Sequence, residues 1–181
     1  MGARGPGSGK LKAVAALAEP GVQPWDVEGM APEDRVLAFL SDLGGGEVRT
    51  GGSVPDDDAL AGGAYVEPTL IDGVDPGSRI AQEEVFGPVL VAMPFTDEDE
   101  AVAIANGTAY GLLASVWTTD LSRAHRMAAR LQAGQVYVNT YGAGGGVELP
   151  FGGMKKSGYG REKGIEALDA FTQTKTVVVQ L

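Results

Sequence analysis

Two stretches of the chain combine residue types that site chemistry needs. In Gln82-Glu83-Glu84-Val85-Phe86-Gly87-Pro88, paired carboxylates and an aromatic ring open an apolar run. A carboxylate can accept two hydrogen bonds from a vicinal diol, and a ring can shield a reacting centre from water. The second stretch, Pro150-Phe151-Gly152-Gly153-Met154-Lys155-Lys156-Ser157-Gly158-Tyr159-Gly160-Arg161-Glu162, is a Gly-rich loop leading to a helix. Taken singly, each also reads as turn chemistry, because Gly and Pro punctuate any α/β chain. Other candidates fail on spacing. The run ending in Gly9-Lys10 has Arg4 where a phosphate loop needs its first Gly, and Leu11 where Ser or Thr must reach magnesium. Ser8, Ser53 and Ser157 lack the paired glycines of a nucleophile elbow. His125, the one histidine, lies mid-helix between Arg123 and Arg126 and reads as structural. The acidic runs Asp56–Asp58 and Asp97–Glu100 have no ligand-spaced neighbour and read as a solvated turn and a helix start.

The elements that must position these stretches follow from periodicity. Lys10–Glu19 is expected as a short Ala-rich helix, and Pro32–Leu43 as a second, with Val36, Phe39, Leu40 and Leu43 on one face. Ala64–Ile71 reads as extended and Pro88–Phe95 as a buried strand. Thr96–Asn106 reads as a helix capped by Thr96 and Leu112–Thr118 as a strand. Asp120 caps a helix with Leu121, Ala124, Ala128 and Leu131 on one face, closed by Gly134. Gln135–Asn139 is a strand, Arg161–Phe171 a helix and Thr176–Leu181 a terminal strand. Strand–helix alternation over 88–140 predicts crossovers and a parallel sheet, so the fold class is α/β.

Length and composition fit one soluble globular domain: 181 residues, 44% hydrophobic and 21% charged. The net charge of −10 repels phosphate backbones and anionic lipid, so neither nucleic acid nor membrane is an expected partner. No apolar stretch approaches a membrane span, and the run Ala13–Ala18 is too short for a signal peptide, so a cytoplasmic location is expected. The absence of cysteine excludes disulfides, thiolate-bound metals and any thiol nucleophile supplied by these residues.

Taken together, the motifs are specific. The chain resembles the aldehyde dehydrogenase superfamily from about Ala64 to Leu181. The resemblance is carried by Tyr65-Val66-Glu67-Pro68-Thr69-Leu70, the Glu83-Glu84-Val85-Phe86-Gly87-Pro88 block, Ala105-Asn106, Tyr110-Gly111-Leu112, Gly134 and Val138-Asn139. The Pro150–Glu162 block and Lys175-Thr176-Val177 complete it, all in the family's order. Pro32–Gly52 is a fainter match, and residues 1–30 match nothing. The resemblance thus implies an unmatched segment over 1–30 and a partial catalytic domain over 31–181. It places Glu84 on the nicotinamide-ribose hydroxyls of NAD or NADP and Phe86 against the nicotinamide. It also makes Asn139, Tyr141 and Phe151 candidates for the substrate pocket, and the terminal strand one that joins an inter-subunit sheet.

The resemblance reaches only the C-terminal part of the family's catalytic domain. The family oxidises an aldehyde to an acid by way of a cysteine thiolate adduct, from which hydride departs readily, and a Ser or Thr without a base is a poor substitute. The chain is therefore expected to be a truncated member, inactive as a dehydrogenase alone. Its cofactor affinity should be weak: one charged contact contributes about 1.5–3 kcal/mol, against about 8 kcal/mol for micromolar binding. Three roles stay open. The chain is one half of a split enzyme completed by a complementary or full-length subunit, a relic or pseudoenzyme used for self-association, or a repurposed fold. The last would act on another small molecule without redox chemistry, through Glu84, Glu148 and the Lys155/Lys156 pair.

Overall fold

Pro32 at the first helical position, followed by Glu33 and Asp34 at the positive end of the dipole, starts α1 (Pro32–Leu40). The computed structural model describes the backbone of residues 12–14, and residues 31–60, 62–141 and 146–181. They fall in two compact units, Met1–Thr108 and Ala109–Leu181. In the first unit α1 ends three residues before the expected Leu43. Ser41 Oγ donates to Ala38 O at 2.8 Å, and Asp42 Oδ1 accepts the Gly44 N–H at 3.1 Å. Such local side-chain bonds offer the backbone an alternative to another helical turn.

The chain then adds β2 (Glu47–Thr50), β3 (Thr69–Asp72), the single turn α2 (Arg79–Gln82), β4 (Val89–Pro94) and α3 (Glu98–Asn106). β3 and β4 pair in parallel, Thr69 opposite Val89 and Asp72 opposite Ala92, so β3–α2–β4 is a crossover unit. β2 pairs antiparallel with β3. On the other side of β4 lies β1 (Lys12–Val14), antiparallel, in the order β1-β4-β3-β2. At residues 12–14 a strand thus replaces the expected helix, because the edge of β4 offers unpaired backbone groups that a helix could not satisfy. The rest of 10–19 lies outside the described residues. Val36, Phe39, Ile71, Val74, Ile80, Val85, Val89, Val91 and Met93 form one buried cluster. Helix α3 is capped by Asp97 rather than Thr96. Asp97 Oδ1 accepts the Glu100 N–H at 2.9 Å, while Glu100 Oε2 accepts both the N–H and the hydroxyl of Thr96 at 2.7 Å.

The second unit contains β5 (Tyr110–Gly111), β6 (Leu113–Val116), α4 (Leu121–Arg130), β7 (Gln135–Val138), β8 (Met154–Lys155) and α5 (Ala167–Phe171). β6 and β7 are parallel across α4, a second crossover unit, and β5 is antiparallel to β8. The expected alternation over 88–140 is present and the fold is α/β. It does not form one sheet, however: β4 pairs with β3 and β6 with β7.

Asp120 caps α4 as expected, its Oδ1 accepting the Arg123 N–H at 3.0 Å. The helix stops at Arg130, before Gly134, and buries Ala124 and Met127, while Leu121 is 73% exposed. The expected helix over 161–171 shortens to α5, because Lys163 (φ 61°) and Gly164 (φ 62°) both adopt left-handed backbone. The Gly164 N–H instead donates to Val147 O at 2.8 Å. The expected strand Thr176–Leu181 carries no regular structure, and Val177, Val178, Val179 and Leu181 are exposed. An extended segment becomes a strand only when a neighbour supplies its ladder, and no described strand pairs with it. Among the described residues no helix is long and apolar enough to cross a membrane.

Candidate functional site

The segment carrying Glu84 and Phe86 links α2 to β4. Val85, buried in the first unit's core, anchors it. Glu84 is half-buried with its Oε2 shielded from solvent, whereas Phe86 is exposed. Phe86 has φ 60°, the left-handed region that an aromatic side chain rarely enters. Such a conformation costs about 1–3 kcal/mol and persists only where the surroundings over-determine it, a condition frequent at functional sites. A carboxylate fits ribose hydroxyls and an exposed ring fits a flat nicotinamide, so the donor set suits the cofactor end that the sequence implied. Sequence reasoning missed Arg35, whose guanidinium on α1 reaches the carbonyls of Glu84 and Val85. Its signal, an arginine on an amphipathic helix, is indistinguishable in sequence from a solvated charge.

Asn139, Tyr141 and Phe151 belong to the second unit. Asn139 follows β7 with φ 55° and donates its N–H to Val116 O at 2.8 Å. Its side-chain amide makes two bonds to one residue: Oδ1 accepts the Thr118 N–H and Nδ2 donates to Thr118 O, both at 2.8 Å. That pairing extends the β6–β7 ladder by one side chain and makes Asn139 a staple for the turn that carries Tyr141. Tyr141 is 60% exposed.

Phe151 is half-buried at the mouth of the Gly-rich loop. Its backbone exchanges two hydrogen bonds of 2.6 Å with Glu162, closing the ends of the loop. Inside it, Arg161 Nη1 donates to Gly153 O and Gly160 O, both at 2.8 Å. The glycines answer a steric demand, since a Cβ on Gly134 would overlap the Gly152 carbonyl. The Ser157 hydroxyl accepts the Gly111 N–H at 3.1 Å and so joins the loop to β5. Glu148, Lys155 and Lys156 are all exposed, as is His125 on α4. Among the described residues no group of three or more His, Cys, Asp or Glu could hold a metal.

The family model for the aldehyde dehydrogenase family matches residues 34–177. Betaine aldehyde dehydrogenase 1 of Rhizobium meliloti is 45% identical over 151 residues, which are 82% of this chain and 31% of that protein. The NADP/NAD-dependent aldehyde dehydrogenase PuuC of Escherichia coli is 52% identical over 118 residues, 65% of this chain and 24% of that one. Among solved structures, the indole-3-acetaldehyde dehydrogenase AldA of P. syringae, in complex with NAD+ and IAA, superposes with a TM-score of 0.75 at 45% identity. The match covers 83% of this chain and 30% of that one. The chain therefore spans about a quarter to a third of the length of these relatives. A family model covering most of these residues, with similarity in both sequence and fold, makes the chain a member of the aldehyde dehydrogenase family.

Proposed function

We propose that residues 31–181 are the C-terminal part of an aldehyde dehydrogenase catalytic domain, which oxidises an aldehyde to an acid with NAD or NADP. Glu84 holds the nicotinamide-ribose hydroxyls and Phe86 covers the nicotinamide; when bound, the cofactor supplies the hydride acceptor. Tyr141 and Phe151 line the substrate pocket, with Asn139 fixing the turn before them. The observation that carries this reading is the left-handed backbone at Phe86 beside the half-buried Glu84. It is a strained aromatic residue at the position the family motif assigns to the cofactor, the kind of site where such strain concentrates.

These 181 residues contain no cysteine, so the thiolate comes from polypeptide outside them and the chain alone does not oxidise aldehydes. The test is NADH or NADPH formation from a panel of aldehydes. One arm uses the chain alone; the other adds a polypeptide carrying the family's catalytic cysteine and dinucleotide-binding domain. Turnover only in the mixture is expected, and turnover by the chain alone would overturn the reading. A second role, assembly, is favoured by the exposed Phe171, Val177, Val178 and Val179. Self-association, or capture of a complementary subunit, would cover them, and sedimentation of the chain with and without residues 172–181 tests it. The expected compartment is the cytoplasm.

A further inference from the structure

We infer that Arg35 is a positioning residue for the Glu84–Phe86 segment, fixing the backbone that presents both side chains to the nicotinamide end of the cofactor. The inference rests on the cofactor reading above. Arg35 Nη2 donates to Glu84 O at 2.9 Å and Nε to Val85 O at 3.4 Å, both part-buried. One planar guanidinium thus holds two consecutive carbonyls immediately before Phe86. On the other side of Phe86, Gly87 lies against Val36, the next residue of α1, so closely that a Cβ on Gly87 would overlap the valine side chain. Helix α1 therefore grips the chain at residues 84, 85 and 87. Phe86 stands between these anchors at φ 60°, left-handed backbone that an aromatic residue rarely adopts.

Two arginines compete for this role. Arg79 Nε donates to Glu83 Oε2 at 3.0 Å, and both guanidinium carbons approach the Phe39 ring, Arg79 at 4.1 Å and Arg35 at 5.4 Å from its centroid. The Arg79–Glu83 pair is about half exposed on each side, the setting in which an ion pair contributes little. Arg35 instead makes charge-assisted bonds to part-buried backbone, and its flat fork matches two acceptors in a way an ammonium cannot. Arg35 is accordingly the dominant partner and Arg79 its support on the shared ring.

The test uses the whole chain labelled for NMR, with Arg35→Met, Arg35→Lys, Arg79→Met and Glu84→Gln. The first readout is the Phe86 backbone: its carbon shifts and amide–Hα coupling report the left-handed φ. The second is binding of nicotinamide mononucleotide, followed by saturation transfer up to tens of millimolar. Arg35→Met is expected to erase the left-handed signature while the shifts of β3 and β4 stay put, and to weaken the mononucleotide by about fivefold to tenfold. Arg35→Lys, which can keep one carbonyl, should fall between, and it carries the test if Arg35→Met does not fold. Arg79→Met should change affinity less than about twofold. If Glu84→Gln weakens binding and neither Arg35 variant does, Arg35 has no positioning role and the cofactor reading survives. If Phe86 keeps its left-handed signature in both Arg35 variants, the role is likewise overturned. If the wild-type chain fails to bind the mononucleotide, or Glu84→Gln binds as well as wild type, the cofactor reading falls and the positioning role with it.

Discussion

The segment carrying Glu84 and Phe86 and the loop carrying Phe151 are each held by an arginine on carbonyl oxygens, but over very different distances along the chain. Arg35 reaches Glu84 across 49 positions, from a helix packed into a core of nine buried side chains. Arg161 reaches back only eight positions to Gly153 and one to Gly160, and the loop closes on itself through the Phe151–Glu162 pair. Among the described residues of the second unit, the buried hydrophobics are Leu112, Ala124, Met127 and Ala133, two of them alanine. A long-range clamp depends on its core, whereas a local clamp depends on tight backbone contacts. Damage to the core should therefore release the first segment, and damage to glycine contacts should release the second.

The largest effect expected is that of Phe39→Ala. Phe39 is 2% exposed and carries both the core contact and the arginine stacking, so its loss should cost about 3–5 kcal/mol in denaturant unfolding. If the first unit unfolded at an unchanged midpoint, the dependence of the clamp on its core would be wrong. Next comes Gly134→Ala. The added methyl meets the Gly152 carbonyl, backbone that cannot rotate away, and should cost about 3 kcal/mol while sparing amide protection in β3 and β4. Arg161→Met should cost about 1.5–3 kcal/mol and open the loop to limited proteolysis between 151 and 162, with the β6–β7 pair still formed. Proteolysis at the wild-type rate would show that the loop does not depend on Arg161, leaving the Phe151–Glu162 pair and the glycine contacts to hold it.

A smaller effect should follow Asn139→Ala, which removes both side-chain bonds to Thr118 and leaves a left-handed alanine. A loss of about 1–2 kcal/mol is expected, read as faster exchange of the Thr118 amide. The smallest is a pH effect in the first unit. The Thr96 hydroxyl and N–H hold the exposed Glu100 carboxyl below its usual pKa. A group depressed in the folded state stabilises fully above its unfolded value, and that contribution fades as pH falls through the lower folded value. Acid titration followed by thermal melting should show this loss, and Glu100→Gln should remove that part of the pH dependence.

Much of this is legible in the chain itself. Asp120 before an amphipathic run marked the start of α4, and the apolar run from 88 to 95 marked β4. The Glu-Glu-Val-Phe-Gly-Pro block and the Gly-rich block named the family that the comparisons show. The failures share a cause. The spacing places Leu121 on one face with Ala124, Ala128 and Leu131, yet Leu121 is exposed, because periodicity does not say how far along the helix a neighbour reaches. The helix expected from 161 gives way because Lys163 and Gly164 adopt left-handed backbone and the Gly164 N–H donates to Val147 O, a pairing no local propensity encodes. Thr176–Leu181 has the composition of a strand, but a strand requires a partner ladder.

The sequence by itself determined the α/β class, the family and the chemistry available: a carboxylate and a ring at 84 and 86, and no thiol anywhere in these residues. Side-chain types and local spacing are written in the chain directly, and those properties need nothing more. Only the tertiary structure decided that Phe86 and Asn139 adopt left-handed backbone, that Asn139 is a staple on Thr118, and that Arg35 holds the carbonyls of Glu84 and Val85. Each of these depends on which distant backbone groups meet, and such encounters are set by packing, where a contact across 49 residues leaves no periodic trace in the sequence.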